Sequence, residues 1–439
     1  MPVENRSRAL AVVFGIVFLD LLGFGILIPV IPLYALEFGA SEFVGSLLIA
    51  SYSAMQFLFA PILGRISDRR GRRPVLLLSL SGSVIAWTLF GFAGSLAVLF
   101  LARMLAGAMG GNIATAQAYI ADITPPEDRA KGLGLLGAAF GIGFIFGPAL
   151  GGFVASAPVV ALARDVLPAI VPVSEFTLPS FAAAIITAAN LLVAVVVLPE
   201  SRPPEERDES ADADVESQSR IAVLLDALTT RGLAALVVSF FLVSFAFSAL
   251  ESQFIFLTND QYGYGTTENA FLLAYFGVVL AIVQGGLVGP LTDRFGERRL
   301  AIGGTGIQVA TLALVPFAPE LATLIPRVGP LSGALPTVPS AILALFVVVT
   351  PLAAGNAVTN VSLNTLVSRS SSGDDQGSAF GLTQSAGSLA RTFGPALAGA
   401  LYTGIAYWAP FVVGSILLVP ILGLLTRVRG RGTVRTTAD

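Results

Sequence analysis

GRISDRRGRR runs from Gly64 to Arg73, and GPLTDRFGERR runs from Gly289 to Arg299. Aligned on Asp68 and Asp293, both read GxxxDRxGxR, 225 positions apart. A second echo follows in each half, FGPALGG from Phe146 to Gly152 and FGPALAG from Phe393 to Gly399, 247 positions apart. Two independent matches at similar offsets, in a chain without low-complexity tracts, mark an internal duplication. Its unit is some 200 residues, too long for a solenoid repeat and long enough for a domain.

What surrounds these echoes is oil-like. The chain has 439 residues, 55% hydrophobic and 12% charged, with a mean hydropathy of +0.82. Soluble domains carry about 25% charged residues. Twelve apolar runs are read at 9–34, 43–64, 74–93, 96–120, 132–155, 178–198, 233–257, 267–290, 300–317, 339–365, 376–402 and 406–425. A helix of about 20 apolar residues crosses a hydrocarbon core of ~30 Å. The alternation of a membrane barrel is missing. The expected fold class is an all-α polytopic membrane protein of twelve transmembrane helices in two pseudo-symmetric six-helix bundles. The first run is longer than a signal-peptide core and holds Asp20, Pro29 and Pro32, so it is read as a retained first helix.

Alternating the loops places 21 Lys and Arg on the side of the N-terminus and two, Arg164 and Arg327, on the other; Arg103 and Arg391 lie within spans. Positive-inside bias then predicts both termini in the cytoplasm of a plasma-membrane protein. Only Lys131 is a lysine, and Glu200 to Arg220 holds eight carboxylates against three arginines. That composition predicts an unstructured linker; the overall arginine and acid bias suits either a high-salt cytoplasm or a GC-rich genome. The expected organisation is an N-terminal bundle over 1–198, an acidic linker over 199–231, a C-terminal bundle over 232–426 and a basic tail over 427–439. The chain has no Cys and no His, which excludes disulfides and leaves proton chemistry to carboxylates. With no GxxxxGK[ST] loop, ATP is not the direct energy source and no enzyme activity is expected. No cofactor or metal is called for, and no nucleic-acid partner; the expected partners are a small molecule, protons and the bilayer.

GRISDRRGRR resembles the loop signature of the major facilitator superfamily. LDLLGFGILIPVIP in helix 1, SAMQFLFAPILG in helix 2 and LGAAFGIGFIFGPALGG in helix 5 resemble its tetracycline and multidrug proton-antiporter branch. In helix 5 the antiporter pattern falls on Gly134, Gly143, Gly147, Pro148, Gly151 and Gly152. The resemblance implies export of small lipophilic compounds, cationic ones included, in exchange for protons, by a functional monomer whose halves rock to alternate access. A proton- or sodium-coupled metabolite or sugar carrier on the same fold is the alternative, and a non-transporting receptor a further one. The tetracycline carriers use acidic and histidine positions in their second half. This chain has no histidine and no acid in helix 9, RLAIGGTGIQVATLALVPF, which points away from tetracycline itself.

Site residues follow. In the loop, Gly64 and Gly71 would permit a tight reversal, Asp68 would face the N-terminus of helix 11, and Arg72 would pair with Asp122. The resemblance implies that this set latches the halves on the cytoplasmic side; the bland alternative is arginines that only fix topology. Glycines 143, 147 and 151 share a helix face and let a neighbour approach, for an antiporter interface or for ordinary packing. Asp20 in helix 1 and Glu251 in helix 7 are intramembrane acids, which are functional by default. Desolvation favours the neutral form of a carboxylate, so each could load a proton. A structural acid and a position at the outer mouth are the respective alternatives. Arg103 in helix 4 would modulate the proton site, or snorkel to the interface. Tyr52, Gln56, Asn112, Thr115, Tyr119, Ser248, Gln284, Asn356 and Asn360 are expected around a central substrate cavity.

Overall fold

The structure is a computed structural model, and it describes residues 6–110, 112–124, 129–201, 231–324, 340–370 and 376–427. These residues form helices and turns without a strand. The first half contains α1 (Arg6–Leu27), α2 (Val30–Glu37), α3 (Glu42–Arg70), α4 (Arg72–Gly91), α5 (Leu96–Met109), α6 (Asn112–Ile123), α7 (Arg129–Ala155), α8 (Ala157–Val166) and α9 (Thr177–Val197). The second contains α10 (Arg231–Tyr262), α11 (Thr266–Ile282), α12 (Val288–Phe295), α13 (Glu297–Leu314), α14 (Ala318–Leu321), α15 (Ser340–Ser370), α16 (Gln376–Gly404) and α17 (Ala409–Arg427).

Ten of the membrane candidates pass by length and composition, and the bent pair α7–α8 makes an eleventh. The 29-residue α16 is long enough to be the twelfth. Several candidates are compound. Pro29 breaks the first into α1 and α2 within one span, Leu10–Glu37. The fourth, Leu96–Ile123, breaks between α5 and α6. The eighth contains one π-helical stretch, Val283–Leu287, between α11 and α12. Large apolar side chains stand out from the helices, among them Ile85 at 60% and Val196 at 84% exposure, as a lipid-facing surface requires.

By contacts the chain divides into two compact units. Among the described residues, one contains those within 6–201, 251–278 and 391–410, and the other those within 231–250, 279–390 and 411–427. Most of the predicted linker and of the basic tail lies outside the described residues. In the first unit Tyr34, Trp87, Phe90 and Leu99 form a buried cluster that ties α2, α4 and α5, with the Tyr34 hydroxyl donating to the Ala93 carbonyl at 3.1 Å. A second cluster, with Val13, Leu80, Tyr119 and Ile120, joins α1, α4 and α6.

Two sequence expectations change. Gly64 is not in a turn: α3 runs through it to Arg70, and only Gly71, at φ 101°, makes the reversal. The Gly64 carbonyl accepts the Ser67 hydroxyl at 2.7 Å. The segment 156–177, left as a connection between the apolar runs 132–155 and 178–198, begins with α8, bent 60° from α7. Val160 turns inward while Leu162 and Val166 are exposed, and Arg164 Nε donates to the Val173 carbonyl at 3.3 Å to close the return. Of the segment 319–338, residues 325–338 lie outside the described residues.

Candidate transport site

Arg103 on α5 is 2% exposed. Its guanidinium carbon lies 4.6 Å from the centroid of the Tyr52 ring and 5.9 Å from that of Phe24. Those rings tilt against one another at 5.0 Å. A cation over aromatic faces is attracted by their quadrupoles, by about 2 kcal/mol when desolvated. The bilayer-interface alternative for Arg103 is thereby removed. Gly107, one turn along, makes the approach possible: a Cβ there would strike the Tyr52 backbone. Gln56 donates to the Gly110 carbonyl at 2.9 Å, so it braces the break between α5 and α6 rather than lying open.

Carboxylates from other helices join this centre. Glu251 sits within α10, which continues unbroken to Tyr262, so the early unwinding considered for helix 7 does not occur. Glu251 lies in electrostatic reach of both Arg391 and Arg103. Tyr52 in turn feels Asp20 on α1 together with Arg103 and Arg391. The sequence reading named Asp20, Glu251 and Arg103, and placed Tyr52 in the cavity. It gave Arg391 little weight, although a second arginine in an apolar span was itself the signal.

The other residues expected around the cavity lie in both units. Tyr119 is fully buried in the α1–α4–α6 cluster and its hydroxyl donates to the Pro199 carbonyl at 2.9 Å; it braces the end of α9. Thr115 is fully buried. Asn356 and Asn360 are linked along α15, Asn360 Nδ2 donating to the Asn356 carbonyl at 3.0 Å and its side-chain oxygen at 2.9 Å. Gln284 is exposed in the π-helical stretch. Ser248 is buried on α10. The side chain of Asn112 lies outside the described residues.

The antiporter-pattern helix α7 presses its glycines onto α1. A Cβ on Gly147 would lie 2.6 Å from the Gly25 Cα, and one on Gly143 3.1 Å from the Leu21 Cβ; one on Gly151 would strike the Ile26 carbonyl. Gly152 faces α11, 2.5 Å from the Ala270 Cβ by the same measure, and Thr267 donates to its carbonyl at 3.3 Å. Pro148 lies on the same contact beside Gly25. Gly134 is within α7, but its surroundings lie outside the described residues.

At the loop signature Arg72 bridges two acids, Asp68 at 2.6 Å and Asp122 at 3.1 Å, and donates to Ser67 Oγ at 2.7 Å. The sequence reading missed Glu200. Its carboxylate accepts the backbone N–H of Arg72 at 2.9 Å and of Arg73 at 3.2 Å, satisfying two orphan donors at the start of α4. In the other unit Glu297 pairs with Arg369 at 2.7 Å. On the side away from these ion pairs, Gln253 Nε2 donates to Ser46 Oγ at 2.8 Å, and the Tyr402 hydroxyl donates to Asp260 at 2.5 Å.

Known proteins share this plan. The Tetracycline resistance protein, class C, of Escherichia coli is 30% identical over 96% of this chain and 98% of its own length. Multidrug resistance protein 2 of Bacillus subtilis (strain 168) is 25% identical over 96% of this chain and 95% of its own. The crystal structure of the human organic anion transporter MFSD10 (TETRAN) superposes with a TM-score of 0.64 at 25% identity, covering 96% of this chain and all of that one. The sequence profile described as Major Facilitator Superfamily matches residues 13–333 and 287–438, and the chain belongs to that family.

Proposed function

We propose that this chain is a proton-coupled antiporter of the multidrug efflux type, exporting small lipophilic compounds by alternating access. It sits in the plasma membrane with both termini cytoplasmic and works as a monomer. The observation that carries the reading is the charged group of Asp20, Glu251 and buried Arg103 on membrane-spanning helices, since intramembrane charge is costly unless it works. Relatives named for tetracycline and multidrug resistance support efflux. Asp20 is the leading proton carrier, Glu251 the second, and Arg103 favours release of the proton from the acids near it. Asp68, Arg72 and Asp122 form the cytoplasmic latch that breaks as the carrier switches.

The test is proton release from acid-loaded everted vesicles on adding each of a panel of lipophilic compounds, with Asp20→Asn in parallel. Compound-dependent release that vanishes in the variant is the expected result. Release that survives Asp20→Asn moves the proton to Glu251. Absence of release with every compound would sink the efflux reading in favour of a metabolite carrier.

A further inference from the structure

Arg103 is the least satisfied buried cation among the described residues. Its Nε and Nη1 atoms are buried and have no hydrogen-bond partner, although the side chain is 2% exposed. A buried charged donor left unmade costs several times what an ordinary hydrogen bond contributes. The rings of Tyr52 and Phe24 compensate the charge, but a ring face does not accept in-plane N–H groups as an oxygen does. Nor does the neighbouring acid close the gap: Glu251 acts on Arg103 through space, yet neither open nitrogen has an acceptor. Arg103 thus carries unmet donors beside two aromatic rings, with a second cation, Arg391, acting on the same acid. The planar guanidinium suits a carboxylate better than any other small-molecule group of comparable abundance.

We infer that Arg103 is the docking point for a carboxylate on the transported compound, whose aromatic body packs on Tyr52 and Phe24. The inference rests on the efflux reading and adds the chemistry of the cargo: an amphiphilic acid, zwitterions included, in place of a plain lipophilic cation. A zwitterion is the form that keeps proton exchange. Its carboxylate meets Arg103 while its ammonium competes with the proton of Asp20, the acid that acts on the same Tyr52.

Nε-dansyl-lysine and dansylcadaverine test this, because they share the fluorophore and an amine and differ in the carboxylate. Binding to the purified full-length protein in detergent is followed by dansyl fluorescence. Dansyl-lysine should bind about tenfold or more tighter than dansylcadaverine, the scale of a hydrogen bond to a charged group. Arg103→Gln should abolish that preference, with its Tm in detergent showing that the variant is folded; Arg103→Lys, a charge without the fork, should fall between. Equal or better binding of dansylcadaverine to the parent overturns the inference, and so does an Arg103→Gln that weakens both probes alike. If Arg103→Gln does not fold, the parent comparison alone decides. Proton release in vesicles separates the two readings. Release with dansylcadaverine alone keeps efflux and discards the carboxylate site. Arg103-dependent binding of dansyl-lysine without any proton movement keeps the site and discards efflux.

Discussion

The two halves of the chain close the same loop with opposite charges. In the first, Arg72 at the start of α4 pairs with Asp122 at the end of α6. In the second, Glu297 at the start of α13 pairs with Arg369 at the end of α15. Glu297 follows Arg72 by 225 positions and Arg369 follows Asp122 by 247, the same offsets as the two sequence echoes. Duplication kept the place of the ion pair and reversed its sign. The helix dipole makes the two unequal. An acid at a helix start and a base at a helix end are both favoured, so the second pair is matched to its helices and the first is mismatched twice. Glu200 corrects half of that mismatch by accepting the first N–H groups of α4. Burial is split the opposite way in the two pairs: Arg72 is 8% exposed against 28% for Asp122, whereas Arg369 is 67% exposed against 12% for Glu297.

Breaking the pair with the buried arginine should have the largest effect. Arg72→Glu faces Asp68 and Asp122 with a third acid, and we expect a loss of about 3 kcal/mol, the scale of an orphaned buried charge, read as a lower Tm in detergent with loss of transport. Restoring it with the polarity of the second half sharpens the comparison. Arg72→Glu with Asp122→Arg should recover most of that Tm; a double variant no better than Arg72→Glu would show that Asp68, not Asp122, is the essential partner. Next comes the cap. Glu200→Gln should cost about 1 kcal/mol in the parent and nothing, or a gain, in the swapped background, where Glu200 would face an acid. Smallest is the pair whose arginine is exposed. Arg369→Gln should shift stability by about 1 kcal/mol or less, and a larger shift would show that the little-exposed Glu297 carboxylate, not the exposed arginine, sets the effect.

The fold was legible because hydropathy and the repeated loop each suffice to read it, and they agree. Charges within the spans were legible one at a time, since Asp20, Glu251 and Arg103 each interrupt an apolar run. The link of Asp20, Arg103 and Arg391 to Tyr52, and of Glu251 to both arginines, was not, because it depends on the rotation of α1, α3, α5, α10 and α16 about their axes, which hydropathy does not encode in a helix apolar all round. Gly64 was misread for a simple reason: a motif glycine at a loop edge lies in the helix when the next residues have no cause to leave it. Glu200 was hidden by its acidic neighbours, and α8 by Arg164 and Asp165, which interrupt its apolar run. The reversed ion pair, by contrast, was present in the two offsets and needed only to be looked for.

The backbone contact between Gly25 and Gly147 has a mechanical meaning. Where two helices touch through glycine alone, no side chain is left between them to act as a compliant spacer. α1 and α7 therefore form one lever. Asp20 rides on it five residues from Gly25, so any tilt of α7 also repositions the acid. In the proposed antiport, proton access and the tilt of this helix pair are then a single coordinate, without a relay of side chains to join them.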